Sequence, residues 1–339
     1  MALLSDAERL NAAWRALAGG GQGEGWRTIP IELGGSCPLL AGRYFPGNEE
    51  AVLIGFGPVS VPADNLLPQG HGFRVEKVKH EMPGSAHVWV SLSKQTAGSL
   101  DMFSRMAEDV ISMLRSYDHT DDQMLFHMFL GRINAWQEFM QRGRADILSP
   151  DAEVGLVGEL IVLKMLLDRK LSAPTVLDSW QGPLDGLHDF LIGNGAIEVK
   201  SSVATSGFLA TVGSLEQLDG SLVTPLFLIG IRLSLCSSGK TLPEIIYEIS
   251  SLLDPLPGTK GKLEVLVLRA GFLWAFSDCY TRRFLHADTR FIPVSPGFPS
   301  LTRGNVNPAI RKARYELDLD LIDVSDVGID RTLKELGVL

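Results

Sequence analysis

The sequence predicts an α/β core preceded by a small β-rich α+β module. Three observations carry that prediction. From residue 123 onward, helical and strand-like stretches alternate, as they do when helices pack on a sheet. Near the middle, Asn194-Gly195 sits between two apolar stretches, which is the strongest short signal for a two-residue hairpin turn. Before residue 93, by contrast, short alternating runs are broken by Pro, Gly and Asn, the pattern of a compact β module.

The elements follow in order. Residues 1–18 have Leu3, Leu10, Trp14 and Leu17 at helical spacing, and the glycine-rich Gly19-Gly20-Gly21-Gln22-Gly23 ends that helix. Strands are expected at Ile29–Leu33, Ala51–Phe56, Phe73–Val78 and His87–Leu92. Met102, Met106, Val110 and Leu114 then align on one face of a helix over Asp101–Tyr117. The polar stretch Asp118–Asp122 sets the expected boundary, giving an N-terminal module over 1–120 and the core with a C-terminal extension over 121–339. A helix is expected from Gln123 to about Arg142.

A second core helix starts at Ser149-Pro150. Ser suits the N-cap, Pro the first helical position, and Asp151 and Glu153 the positive end of the helix dipole. Glu153, Lys164 and Asp168 share one side of this helix. Glu159 lies about a third of a turn away, flanked by Leu156, Val162 and Leu163, and so points inward. Gly155 and Gly158 suit close packing of the helix on a sheet, since each costs up to about 1 kcal/mol in a helix relative to Ala.

The hairpin comes next. With Asn194-Gly195 as the turn, Ile192 faces Ile197, Leu191 faces Glu198 and Asp189 faces Lys200. Strand parity then puts Asp189, Glu198 and Lys200 on one face, with Phe190, Ile192, Ile197 and Val199 on the other. One fixed Asp…Glu-x-Lys spacing arises by chance in roughly 7% of chains this long. The context narrows it, because Glu198 and Lys200 stand inside an otherwise apolar strand where unpaired charge is costly. Downstream, a short helix is expected at Gly213–Leu218, a buried strand at Thr224–Leu235, a helix at Leu242–Leu253, and strands near Leu263–Leu268, Leu273–Phe276, Arg290–Val294 and Tyr315–Ile322.

At these residues the chain resembles the PD-(D/E)XK nuclease superfamily, whose core is a helix with an acid followed by a hairpin with Asp and Glu-x-Lys. Gly158-Glu159-Leu160 looks like the helix motif, and Asp189 with Glu198-Val199-Lys200 like the hairpin motif, although His188 stands where the motif carries Pro. The full length resembles a bacterial group of PD-(D/E)XK motif proteins of unknown function, associated with restriction-like defence gene clusters. That likeness rests on the Gly-Leu-x-Gly-Glu-Leu helix, Ser214-Leu215-Glu216-Gln217-Leu218, Phe298-Pro299, Pro308-Ala309-Ile310 and Tyr315-Glu316-Leu317.

The resemblance implies a restriction-endonuclease-like core, a mixed sheet flanked by helices, and a Mg²⁺-dependent DNA endonuclease subunit, with Mn²⁺ as an alternative ion. It implies Asp189, Glu198 and the Val199 carbonyl as metal ligands, Glu159 at a second metal or a bound water, Lys200 as the catalytic cation and Gln217 as a group that positions Lys200 or the phosphate. ATPase or helicase-like and methyltransferase subunits are the partners it implies, and a homo-oligomer is left open. Two alternatives stand beside it: a catalytically silent nuclease fold serving as a DNA-binding or scaffold subunit, and a nucleotide-processing or other hydrolase on an unrelated α/β fold.

A net charge of −9 argues against a chain that coats nucleic acid by itself, because non-specific affinity comes mostly from Lys and Arg neutralising phosphates. The basic residues form two groups, Arg132, Arg142 and Arg144, and Arg303, Arg311, Lys312 and Arg314; a solvated surface is the expectation for each. Cys37, Cys236 and Cys279 are widely spaced and suggest neither a disulfide framework nor a zinc site. A soluble cytoplasmic protein with no membrane span is expected.

Overall fold

The computed structural model describes residues 6–339 apart from 20–22, 33–36, 71, 80–86, 118–120, 142–147, 257 and 324. Leu3, Gly20-Gly21-Gln22, Leu33, residues 118–120, Arg142 and Arg144 therefore lie outside the described residues. The chain divides into two compact units, Met1–Asp146 and Ile147–Leu339.

In the first unit, α1 (Asp6–Leu17) precedes β1 (Gly25–Glu32), β2 (Leu39–Phe45), β3 (Glu49–Phe56), β4 (Gln69–Gly70), β5 (Phe73–Lys77) and β6 (Val88–Lys94), followed by α2 (Leu100–Ser116) and α3 (Asp122–Gln141). The strands make one antiparallel sheet ordered β1-β2-β3-β6-β5-β4. β2 is absent from the sequence reading; its signal was Pro46-Gly47-Asn48, a turn between two apolar runs, with Asn48 left-handed at φ 55°. Trp14 ties α1 to the sheet by donating its indole N–H to the Ala51 carbonyl at 2.8 Å.

The expected boundary at 120/121 falls between two helices that belong together. Asp109 of α2 accepts the Trp136 indole N–H of α3 at 2.8 Å and faces Arg132 at 3.2 Å, all three buried. Two charges removed from water need one another, so α3 stays with the first unit.

The second unit contains α4 (Pro150–Asp168), α5 (Ala173–Ser179), β7 (Phe190–Ile192), β8 (Gly195–Ser202), β9 (Leu209–Val212), β10 (Leu226–Lys240), α6 (Leu242–Leu253), α7 (Thr259–Arg269), β11 (Phe284–Pro293), β12 (Tyr315–Asp318) and α8 (Gly328–Glu335). Its main sheet is mixed and ordered β11-β10-β8-β7, with β8 parallel to β10 and the other pairs antiparallel. One face, through Ile197, Val199, Ile229 and Ile231, packs on α4, α6 and α7. The other face, through Leu228 and Ile292, carries a smaller cluster with Phe208, Ala210 and Leu319, beneath the two-stranded β9–β12 sheet. A mixed α/β core flanked by helices is the expected class.

Local chemistry explains the well-read elements. Ser149 Oγ accepts the Ala152 N–H at the start of α4, and Thr241 with Glu244 makes a reciprocal capping box at α6. Three expectations of element type fail and two strand bounds shift. Leu263–Leu268 is part of α7, with Leu263, Leu266 and Val267 buried at helical spacing, and Leu273–Phe276 leads into a 3₁₀ turn over Trp274–Cys279. Gly213–Leu218 is a run of bends and turns in which Ser214 Oγ accepts the Glu216 N–H, so Ser214 caps a turn and starts no helix. The Arg290–Val294 strand begins earlier, at Phe284, and Tyr315–Ile322 is a strand only to Asp318 before a 3₁₀ turn over Leu319–Leu321. Among the described residues no helix is long and apolar enough to cross a membrane.

Candidate active site

The hairpin turn is Gly193-Asn194, one residue earlier than the sequence suggests. Ile192 pairs with Gly195, Leu191 with Ala196 and Phe190 with Ile197. Gly193 has φ +63° whereas Asn194 does not adopt a positive φ, the signs of a type II′ turn, which places Gly first. The shift has a tertiary cause. Asn194 N–H donates to the Leu336 carbonyl at 3.0 Å just beyond α8, and a Cβ on Gly193 would strike that same carbonyl. Moving the turn by one residue changes both strands together, so strand parity survives. Continuing the observed register puts Asp189 opposite Glu198, with Lys200 two residues on and still on the same face.

Asp189 Oδ2 accepts the Val199 N–H at 2.7 Å, which pins the carboxylate across the end of β7. Lys200 Nζ donates to Glu198 Oε1 at 2.7 Å and to Gln217 Oε1 at 3.4 Å, and Gln217 Oε1 also accepts the Gly213 N–H at 2.7 Å. The structure thus brings Asp189, Glu198, Lys200 and Gln217 together. Glu198 is 1% exposed, so its ion pair with Lys200 is no surface salt bridge, and its Oε2 is buried without a hydrogen-bond partner.

Glu159 reaches this group from α4, on the opposite face of the sheet. Two features bring it there. Gly158 lets α4 lie directly on β8, where any Cβ would collide with Ser201; Gly155 has open space around its Cβ position and plays no such part. Trp180, fully buried and stacked on Phe190 at 15°, donates its indole N–H to Glu159 Oε2 at 2.7 Å. Among the described residues no arginine pairs with Glu159; Arg282 pairs instead with the buried Glu153. Both the Glu159 and Asp189 carboxylates approach Gly182, so a side chain at 182 would meet Glu159 Oε2 and stand 3.2 Å from Asp189 Oδ1.

Crowding shows in the acidities. Burial, reinforced by the Asp189 charge, pushes Glu159 and Glu198 each up to about 8 despite the nearby Lys200 ammonium. Burial also raises the Asp189 carboxyl, against the opposing Val199 N–H and Lys200. His188, 3% exposed with an unpartnered Nε2, has its pKa lowered by burial and sits beside the site as a neutral ring. Three acids held with one cation near neutrality form a site short of positive charge.

A family model described as "Putative PD-(D/E)XK family member, (DUF4420)" matches residues 10–320. The chain belongs to this family. No curated protein and no solved structure matches it.

The PD-(D/E)XK family reading calls for a divalent metal, and the donor chemistry fits one. Asp189 and Glu198 carboxylates are hard oxygen donors, and the buried, unpartnered Glu198 Oε2 is an acceptor waiting for a cation. Among the described residues no group of three or more His, Cys, Asp or Glu is arranged to hold a metal by itself. Sequence reasoning missed Trp180 and Gly182. Their only signal was Trp180-Gln181-Gly182-Pro183, a turn-forming run on which an indole can be aimed, with nothing local to say at what.

Proposed function

We propose that this PD-(D/E)XK family member is a metal-dependent endonuclease subunit that hydrolyses DNA phosphodiester bonds, in a bacterial restriction or anti-phage defence system. The observation that supports this best is one face of β8, where Glu198 and Lys200 meet Asp189 with one buried carboxylate oxygen unpartnered. Asp189, Glu198 and the Val199 carbonyl would hold Mg²⁺ or Mn²⁺, and Glu159 would hold a water or a second ion. When bound, the ion supplies a water of lowered pKa and neutralises charge on the phosphate.

The chain's own groups do the rest. Lys200, steadied by Gln217, presents an ammonium to the phosphate oxygens as negative charge builds on them. Asp189 is oriented by the Val199 N–H, and Glu159 by Trp180. A net charge of −9 accords with DNA being delivered by ATPase or helicase-like and methyltransferase subunits. The first unit would then serve partner or DNA recognition.

The test is Mg²⁺- or Mn²⁺-dependent cleavage of duplex DNA by the purified protein, with Lys200→Ala and Asp189→Asn beside it. Loss of cleavage in both variants supports the site; cleavage that survives both removes it. The observation that favours a silent, DNA-binding or scaffold subunit instead is that Lys200 already pairs with the Glu198 carboxylate at 2.7 Å. Calorimetry decides between them, since no Mn²⁺ uptake, and no change on Asp189→Ala, would establish the silent form.

A further inference from the structure

We propose that the exposed segment carrying Arg311, Lys312 and Arg314 is the track that grips the backbone phosphates of the DNA substrate beside the candidate active site. This rests on the nuclease reading for its substrate and on separate observations for its place.

The first observation is how the basic residues of the second unit are used. Arg232 and Arg290 share Asp320, Arg282 holds Glu153, Arg283 holds Glu244 and Arg303 holds Glu216. Arg303, grouped with the other three by sequence, is therefore neutralised. Arg311, Lys312 and Arg314 are exposed and have no ion pair or side-chain hydrogen bond among the described residues. Three adjacent cations left unpaired in a chain of net charge −9 are a local positive site in an acidic protein.

The second observation is where the segment leads. Arg314 runs directly into Tyr315, the first residue of β12, and Tyr315 pairs with Val212 of β9. Val212 is followed by Gly213, whose N–H is held by Gln217 Oε1, the atom that also accepts from Lys200. The Lys200 charge reaches the Tyr315 hydroxyl, which is itself fixed by the Leu301 N–H at 3.0 Å. One strand register thus joins the basic segment to the lysine of the site. Of the acids along this path, Glu216 is already satisfied by Arg303, and Glu316 is exposed on β12 two residues from Arg314. A polyanion lying along Arg311–Arg314 would enter at the Lys200 side of the carboxylates, where its phosphate meets a cation first.

The experiment measures binding of a fluorescein-labelled DNA duplex to the full chain by anisotropy, across a salt series, in an Asp189→Asn background that prevents cleavage. Arg311→Gln, Lys312→Gln and Arg314→Gln are combined and compared with Lys170→Gln combined with Lys334→Gln, two exposed cations elsewhere on the same unit. The expected result is that the triple variant lowers the slope of log affinity against log salt by about 2–3 and weakens binding at least about tenfold, while the control pair leaves both unchanged. Arg311→Lys with Arg314→Lys should restore most of the slope and shows that the loss is one of charge and not of folding. A triple variant that keeps the parent slope, a control pair that loses as much, or a parent that binds no duplex overturns the proposal. Cleavage in the otherwise unaltered chain separates the two ideas. Binding that depends on the segment without any metal-dependent cleavage leaves the track standing and the nuclease reading fallen, and cleavage unaffected by the triple variant does the reverse.

Discussion

Trp180 donates its indole N–H to Glu159 Oε2 at 2.7 Å, so the acid of the core helix is aimed by a fully buried aromatic from a different element. Trp180→Phe keeps an aromatic ring beside Phe190 and removes the donor together with part of the buried indole. The expected cost is about 1–3 kcal/mol, the price of leaving a buried acceptor unsatisfied, measured by urea denaturation at neutral pH. An unchanged midpoint would mean that Glu159 has another donor.

The raised acids make the metal-free protein sensitive to base. Glu159 and Glu198 titrate at about 8 when folded and near 4.5 when free, so the folded state holds protons that the unfolded state has released. Stability is then fully present below about pH 4.5, declines as pH rises towards 8, and levels off above it. Denaturation midpoints in chelator between pH 5 and 9 should show this decline, and Glu198→Gln should flatten much of it and stabilise the protein at pH 8. A parent profile that rises over that interval would contradict the crowding of acids.

Gly158 and Gly155 of α4 should respond oppositely to alanine. At 158 the new methyl meets Ser201 on β8 and forces helix and strand apart, a loss of about 1–3 kcal/mol. At 155 nothing lies within 4 Å, and replacing glycine in a helix gains up to about 1 kcal/mol. Thermal unfolding of the two variants checks the pair, and equal shifts would show that α4 does not rest on Ser201.

Gly182→Ala tests the floor of the site. Its methyl would press on Glu159 and stand 3.2 Å from Asp189 Oδ1, displacing both acids without altering either. Manganese affinity by calorimetry should fall about 10- to 100-fold, the range for disturbing groups that orient ligands, while the unfolding midpoint moves little. Unaltered affinity would place the ion away from Asp189.

What could be read from the sequence was what is local or periodic. Ser149-Pro150 marks a helix start by itself, the inward direction of Glu159 follows from its apolar neighbours, and a two-residue turn preserves the parity of Asp189, Glu198 and Lys200 wherever it is centred. The rest depended on distant contacts. Residues 263–268 offer Leu and Val at a spacing that suits either period, and only packing against the core chose the helix. The aim of Trp180, the partner of Glu153 and the pairing of Arg132 with Asp109 are likewise set by residues far along the chain.

The Leu336 carbonyl that takes the Asn194 N–H has a practical consequence. Residues 186–204 read as a self-contained cassette, yet their alignment is decided by a residue after α8. Transplanting that stretch alone into another scaffold would let the turn slide to Asn194-Gly195, putting Lys200 instead of Glu198 across from Asp189. The motif is short, but it is not portable without its clasp.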